Sequence, residues 1–384
     1  MGKGIQAGKV AGAIYIHIPY CIQKCHYCAF YSEPFTHDRL HEYHEFLLRE
    51  IDLYRDWIDP LALGGSIYFG GGTPSLLSAQ QINSLVAKLY PKLSYDTLKA
   101  EYEITLEVNP IQINKSYLQQ LKHTPINRLS IGIQSMDDDE LLYLGRRHRT
   151  ESLKERIELC RDYGYDNISV DIIYGLPKAK PMQLKQNITR LLELSPDHIS
   201  AYLLNAEEHT PLWDQRNSLP DDDTCADLYE LLCEELSCAG YEHYEISSFC
   251  AENKRSRHNL CYWRSANYLA FGASAAGQLL PHRYQNPASI ADYYAGIERQ
   301  LCFPNRQLLS LEQQQADYLM MGLRCCDGIS LSDFQARFGY SLLEYTGSRL
   351  ESLLDRGVMS MLGDRISICK EYRFVSNSVL GELL

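Results

Sequence analysis

Residues 13–32 read AIYIHIPYCIQKCHYCAFYS, a short apolar strand that runs directly into three cysteines, Cys21, Cys25 and Cys28. The C-x3-C-x2-C spacing gathers three thiolates on one looped backbone, the way soft metals and iron–sulfur clusters are held. A cubane [4Fe–4S] cluster normally takes four cysteines, so three leave one iron open to an exogenous ligand. A structural zinc loop would instead need a fourth N or S ligand, for which His17 and His26 stand nearby. Tyr15, Tyr20, Tyr27, Phe30 and Tyr31 crowd the loop with rings, which suits a cluster and a planar ligand better than a solvated zinc knuckle.

Outward from this loop, β-rich runs alternate with amphipathic stretches, the pattern of βα units on a parallel sheet. Strands are expected at 13–18, 66–69, 102–107, 128–133, 168–173 and 198–204. Helices fall at about 38–57, 78–90, 114–122, 137–145, 151–163 and 181–194, with Asp38, Ser78 and Asn114 near their starts as caps. Six units are too few to close an eight-stranded barrel. The expected fold class is therefore α/β, an open, partial (β/α)6 TIM-like barrel with a smaller, mainly helical C-terminal domain. Active groups belong at the carboxyl ends of such strands. The cysteine loop, Gly70-Gly71-Gly72-Thr73-Pro74, Glu107-Val108-Asn109-Pro110 and Gln134-Ser135 all follow or end strands, and Asp171 lies in the fifth. The glycine run lets backbone approach a ligand closely. It lacks the Lys-Ser/Thr of a phosphate-binding Walker loop.

A net charge of −12 argues against a nucleic-acid partner, which needs clustered Lys and Arg. The basic runs GRRHR (145–149) and NKRSRH (253–258) are local, and are candidate anion contacts. Thirteen cysteines show no second C-x2-C or C-x3-C pair, and no apolar run approaches the roughly 20 residues that span a bilayer. The lead-in over 1–12 has no apolar h-region and reads as flexible rather than as a signal peptide. The expectation is a cytoplasmic protein with reduced thiols.

With its aromatic before the third cysteine, the loop resembles the signature of the radical S-adenosylmethionine (SAM) superfamily. YIHIPYCIQKCHYCAF is similar to the oxygen-independent coproporphyrinogen oxidase branch, and within it to the HemW family of heme chaperones. The resemblance implies a [4Fe–4S] cluster on Cys21, Cys25 and Cys28 with SAM at the open iron, and a glycine turn that contacts the SAM amino group. Tyr15, Gly71 and Glu107 match first-SAM contacts. Tyr27, Gly72, Thr73, Gln134, Arg146 and Asp171 match second-SAM contacts.

After about residue 205 the pattern changes. Asp221-Asp222-Asp223 opens a helix at about 222–239, and a strand-like run at 241–249 follows. Next comes His258-Asn259-Leu260-Cys261-Tyr262-Trp263. Imidazole and thiolate are both heme ligands, and residues three apart share a face of a helix. The motif resembles the heme-binding element of the HemW family, which implies His258 and Cys261 as heme-binding residues. WRSANYLAFGASAAG fits that family's glycine-rich turn with a departure: Ala275-Ala276-Gly277 replaces the usual G-A-H-G. Helices at 310–325, 330–338 and 341–356 and a strand pair around RISICKEYRFV resemble the small C-terminal domain shared by HemN and HemW. The expected division is a core domain at 13–240, a connecting region at 241–304 and a C-terminal domain at 305–384.

Two functions compete on this scaffold. The oxidase reading decarboxylates two propionates of coproporphyrinogen III. The chaperone reading binds heme and passes it to an acceptor, a respiratory hemoprotein. The oxidase branch carries a fourth cysteine two residues past the third and a longer N-terminal extension; here Phe30 occupies that position and about twelve residues precede the first strand. These features and the heme motif favour a chaperone without oxidase activity. They leave open peripheral membrane association and the choice between monomer and dimer.

Overall fold

The computed structural model describes residues 12–58 and 65–384. The expected flexible lead-in, Gly12 aside, lies outside the described residues. Six parallel strands follow in chain order: β1 (Ala13–Ile18), β2 (Ser66–Gly71), β3 (Glu103–Val108), β4 (Arg128–Gln134), β5 (Ile168–Tyr174) and β6 (His198–Leu203). Helices α1 (His37–Leu53), α2 (Ala79–Leu89), α3 (Lys115–Leu121), α4 (Asp138–Tyr143), α5 (Leu153–Asp162) and α6 (Pro181–Leu192) form the crossovers. Two-residue periodicity sorts the strand residues. Ile14, Ile16, Ile67, Phe69, Leu106 and Val170 pack with the helices in the main core. The alternate positions, among them Tyr15, Tyr68, Glu107, Arg128 and Asp171, face the concave side, which is therefore polar.

Local chemistry fixes the helix starts. Ser78 and Gln81 form a reciprocal capping box on α2, and Asn114 caps α3. At α1 the cap is Thr36, whose hydroxyl accepts from Arg39 N, and Asp38 sits in the first turn, where a carboxylate favours the helix dipole. A further helix, Tyr95–Glu101, was not anticipated; Ser94 caps it.

Beyond α7 (Asp222–Cys238), the 241–304 stretch does more than connect. β7 (Glu242–Glu245) and β8 (Ser248–Cys250) continue the sheet past β6, with β8 antiparallel to it. After α8 (Arg257–Trp263), β9 (Tyr268–Phe271) returns to the opposite edge and pairs in parallel with β1, setting Ala270 against Tyr15. β10 (Ala276–Leu279), β11 (His282–Gln285) and, after α9 (Ile290–Glu298), β12 (Gln307–Leu308) extend that edge antiparallel. Twelve described strands thus form one open sheet, ordered β12-β11-β10-β9-β1-β2-β3-β4-β5-β6-β8-β7.

The turn after β9 is held from α1. Gly272 N donates to Glu50 Oε2 (2.8 Å), and Ala273 N donates to the Tyr43 hydroxyl (2.8 Å), which itself donates to the His17 carbonyl (3.0 Å). Tyr293 of α9 and Asn286 also donate to Glu50 (2.6 Å each). Burial pushes the Glu50 carboxyl up to about 7 despite these three donors.

The C-terminal domain has its own core. It comprises α10 (Leu311–Gly322), β13 (Ile329–Ser330), α11 (Leu331–Phe338), α12 (Leu342–Thr346), α13 (Ser348–Asp355), the hairpin β14 (Met359–Leu362) and β15 (Arg365–Ile368), and α14 (Ser376–Leu383). The strand pair lies slightly earlier than the sequence suggests, and a helix follows it. Backbone hydrogen bonds from Cys326 N to Tyr244 O (2.9 Å) and from Ile246 N to Arg324 O (3.1 Å) seat the domain on the barrel.

Candidate functional site

The cysteine loop leaves the carboxyl end of β1 and is pinned at both ends. Glu33 N and Phe35 N donate back to the carbonyls of Pro19 and Cys21 (2.6 and 3.0 Å), while His26 N donates to Leu144 O (3.1 Å). Cys21, Cys25 and Cys28 are all free and half-buried. Both histidines that might complete a zinc site are tied into the fold, His17 through both nitrogens and His26 through one. His26 Nδ1 bonds the Tyr143 carbonyl at 2.9 Å, and the His17 nitrogens face the Tyr15 hydroxyl (2.9 Å) and the Tyr31 carbonyl (3.5 Å). Among the described residues no three His, Cys, Asp or Glu side chains converge on a single-ion site. Three thiols spread along one loop fit the faces of a larger cluster better than one tetrahedral ion. Among the donors that reach the sulfurs are the Thr73 hydroxyl at Cys21 (3.5 Å) and Arg146 NH1 at Cys25 (3.4 Å). Such contacts stabilise thiolates and tune clusters. Burial pushes the Cys21 and Cys28 thiols up, so positive charge nearby is what would favour their thiolates.

The glycine turn lies against this loop. A Cβ on Gly72 would stand 3.0 Å from Cys21 Sγ and 2.8 Å from the Tyr20 carbonyl oxygen, so the close approach requires glycine there. Gly71 has φ +115° and donates its N–H to Glu107 Oε2 (3.1 Å), while the Tyr68 hydroxyl donates to Oε1 (2.9 Å). Tyr15 stacks on Tyr68 at 6.2 Å between centroids. Tyr15, Gly71 and Glu107 are thus one contiguous group. Across the concave face, Arg146 NH2 donates to Gly132 O (2.7 Å) beside Gln134, which takes φ +71° where the β4–β5 register shifts. Asp171 accepts from the Ser130 hydroxyl (3.2 Å). Burial pushes both carboxyls up, and repulsion from Asp171 adds to it at Glu107, which reaches about 8, whereas the buried Arg128 opposes the shift in both. Tyr27 is half-buried beside Arg146, and Thr73 sits at Cys21. Every rim residue named from the sequence therefore lies on one side of the cysteine loop or the concave face behind it.

His258 and Cys261 are placed otherwise. Both are buried on α8, three residues apart as the sequence suggested, but α8 packs against the amino-terminal ends of β2 and β3. The Glu103 carboxylate caps the helix by accepting from Arg257 N and His258 N (3.0 Å each). The imidazole of His258 is 1% exposed, with Nδ1 at 2.9 Å from the Ser66 hydroxyl and Nε2 at 2.7 Å from the Tyr262 hydroxyl. Both nitrogens are engaged, so in this conformation neither is open to iron. Burial pushes its pKa down to about 3. Stability should therefore fall as the pH drops below about 6.5, because the unfolded state takes up the proton first. His258→Ala is expected to lose about 2–4 kcal/mol of stability by denaturant titration. Relative to wild type, its acid-limb dependence should be shallower by up to about 1.4 kcal/mol per pH unit.

The carboxyl end of α8 reaches a cavity. Tyr262 and Trp263 line a cavity of about 510 Å³ together with Tyr15, His17, Phe30, Tyr31 and Tyr268, closed by Ser274–Ala276, Arg283 and Met321. Burial pushes His17 down to about 4, so it is neutral there. The walls are mostly flat rings, and Phe30, two residues past Cys28, is 69% exposed at its mouth. Sequence reasoning missed Arg283, Met321 and Tyr268. No local pattern announces a strand that pairs with β1 from so far along the chain. The glycine-rich turn after β9 was the one visible signal.

Residues 15–190 match the radical SAM superfamily, and residues 309–371 match the HemN C-terminal domain. Heme chaperone HemW of Lactococcus lactis is 31% identical over 376 residues, covering 96% of each chain. That of Bacillus subtilis is 31% identical over 381 residues, covering 96% of this chain and 98% of that one. The solved coproporphyrinogen III oxidase (HemN) from Escherichia coli shares the fold, with a TM-score of 0.81 over 97% of this chain and 90% of that one, at 21% identity. Likeness along almost its entire length, together with both domain matches, shows that this chain belongs to the HemW family within the radical SAM superfamily.

Proposed function

We propose that this protein is a heme chaperone of the HemW type, which binds heme and passes it to an acceptor protein, a respiratory hemoprotein. The observation that carries the proposal is the ring-lined cavity of about 510 Å³ directly beside the cysteine loop. Its size and apolar walls suit a small-molecule ligand, and its flat rings suit a macrocycle. The HemW relatives bear the heme chaperone name over almost the whole of their length. Cys21, Cys25 and Cys28 would hold the [4Fe–4S] cluster, with SAM at the open iron. Tyr15, Gly71 and Glu107 would bind that SAM; Tyr27, Gly72, Thr73, Gln134, Arg146 and Asp171 would line a second SAM site. When bound, cluster and SAM supply one-electron chemistry. The chain's part is to orient SAM through the glycine turn and Glu107 and to shield the site with Tyr15 and Tyr68.

The heme motif contributes through Tyr262 and Trp263, with His258 holding the Tyr262 hydroxyl from below. Cys261 lies off this cavity, on a second one of about 520 Å³ between the barrel and the C-terminal domain. The oxidase reading is the alternative, favoured by the shared HemN fold. Against it, Phe30 stands where that branch carries a fourth cysteine. No helix among the described residues is long and apolar enough to cross a membrane. We place the protein in the cytoplasm, with peripheral membrane contact through its acceptor.

The test is an anaerobic hemin titration of reconstituted protein, followed in the Soret region. One saturable heme per chain with a shifted band is the expected result. Trp263→Ala should weaken binding about tenfold, through lost ring contact and the cavity left behind. Absence of saturable binding, with turnover of coproporphyrinogen III, would move the assignment to the oxidase.

A further inference from the structure

Among the described residues lining the ring-walled cavity, Arg283 alone carries a charge at neutral pH, because burial keeps His17 neutral. Arg283 lies on β11 opposite Gln278 of β10, and its Nε donates to Gln278 Oε1 (3.2 Å). Its NH2 pairs at 2.6 Å with Oδ2 of Asp317, on α10 of the C-terminal domain. Four residues on, and so on the same face of α10, Met321 lines the cavity wall. The Asp317 side chain is 17% exposed, and its Oδ2 is buried with no partner other than this arginine. The arginine is 42% exposed and reaches solvent at the cavity side. One cation therefore serves two purposes: among the described lining residues it alone is a charge-assisted donor, and it ties α10 to the barrel edge.

We propose that Arg283 is the carboxylate anchor of this cavity, and that a carboxylate of the bound ligand takes the place of Asp317 on it. Filling the cavity would then untie α10 from β11. The ligand class is a flat, apolar ring system bearing a carboxylate; its identification as heme, with two propionates, rests on the function proposed above. The exchange is favourable for physical reasons. Arg283 meets Asp317 through NH2 alone while its Nε is held by Gln278, so a ligand carboxylate has one such contact to replace and adds the ring contacts to it. Once displaced, the Asp317 carboxylate loses the partner of a buried oxygen and must turn to water. That movement carries α10, and with it Met321, away from the wall. Loading is thereby converted into a change at the seam between the two domains.

The geometry predicts opposite signs for the two partners, which a purely structural ion pair does not. Hemin and hemin dimethyl ester, which lacks free carboxylates, are titrated into wild type, Arg283→Met, Arg283→Lys and Asp317→Asn, with thermal midpoints recorded for each. Wild type should bind hemin about tenfold more tightly than the ester. Arg283→Met should bind both at the ester's level, and Arg283→Lys should keep part of the preference. Asp317→Asn, which removes the competing carboxylate, should bind hemin more tightly than wild type and leave ester affinity unchanged. In wild type, hemin but not the ester should speed amide exchange in α10. Equal affinity of wild type for hemin and ester overturns the anchor while leaving the heme reading intact, as does weaker hemin binding by both Arg283→Met and Asp317→Asn. If wild type binds neither probe, the heme reading falls and this inference falls with it.

Discussion

Alanine at Cys21, Cys25 or Cys28, introduced singly, is expected to take reconstituted iron from about four atoms per chain to a small residue, with loss of the visible charge-transfer band. The effect should be near-complete at each position, because three thiols are the whole ligand set of the loop: the His17 nitrogens are hydrogen-bonded within the fold, and His26 is held by its Nδ1 on the Tyr143 carbonyl. Folding should survive. The loop is closed by backbone hydrogen bonds from Glu33 and Phe35 rather than by the thiols, so far-UV circular dichroism and the thermal midpoint of the iron-free protein should stay close to wild type. Full iron content in any one of the three variants would remove that cysteine from the ligand set. Cys261→Ala is the control, with iron content expected to be unchanged, since that thiol lies on α8 away from the loop.

The second large effect is structural and falls on Gly272→Ala. At this residue φ is +100°, and an added Cβ would lie 2.4 Å from the Tyr43 hydroxyl and 2.6 Å from the His17 carbonyl oxygen. Those atoms share a hydrogen bond that locks α1 to β1, and the next amide, Ala273 N, donates to the same hydroxyl. Relief would require moving the turn, which would also break the bond from Gly272 N to Glu50 (2.8 Å). Strain and lost buried hydrogen bonds together should cost about 4 kcal/mol or more, measured by denaturant titration. Gly164→Ala separates the contributions: its φ is +88° and nothing lies within 4 Å of the new Cβ. There only backbone strain remains, at about 1–2 kcal/mol. Similar losses in the two variants would mean that the contact at Gly272 carries no weight. Ser274–Ala276 follow the turn and form part of the cavity wall, so a protein that tolerates Gly272→Ala should still bind hemin less well.

Much of the site can be read along the chain because its residues are anchored by local rules. A strand followed by C-x3-C-x2-C places the thiols at a carboxyl edge whatever else the protein does. The alternation of apolar and polar residues in β1 to β6 assigns Tyr15, Glu107 and Asp171 to the concave face, because successive side chains point to opposite sides of a strand. The caps at Ser78 and Asn114 follow from the need of helix ends for side-chain acceptors. Thr36 displaced Asp38 as a cap for the same reason, since its hydroxyl precedes the first free amides.

His258 shows where that reading stops. Histidine and cysteine three apart beside a Tyr-Trp pair look like a ligand set, and they do share a face of a helix. Which way that face turns depends on Ser66 and Glu103, at the feet of strands far earlier in the chain, whose hydroxyl and carboxylate capture the imidazole and the helix start. The wall of the cavity was equally hidden. Strand β9 is four residues long, and its pairing with β1 is decided by the exposed edge that six βα units leave behind, not by anything within YLAF itself. The Arg283–Asp317 pair joins two domains and has no local signature at all. Periodicity, spacing and capping are short-range constraints, and they settled the barrel, its rim and the thiol loop. Edge closure, burial of the imidazole and the placing of one charge in the cavity depend on contacts between distant segments, whose free energies appear only once the sheet has formed.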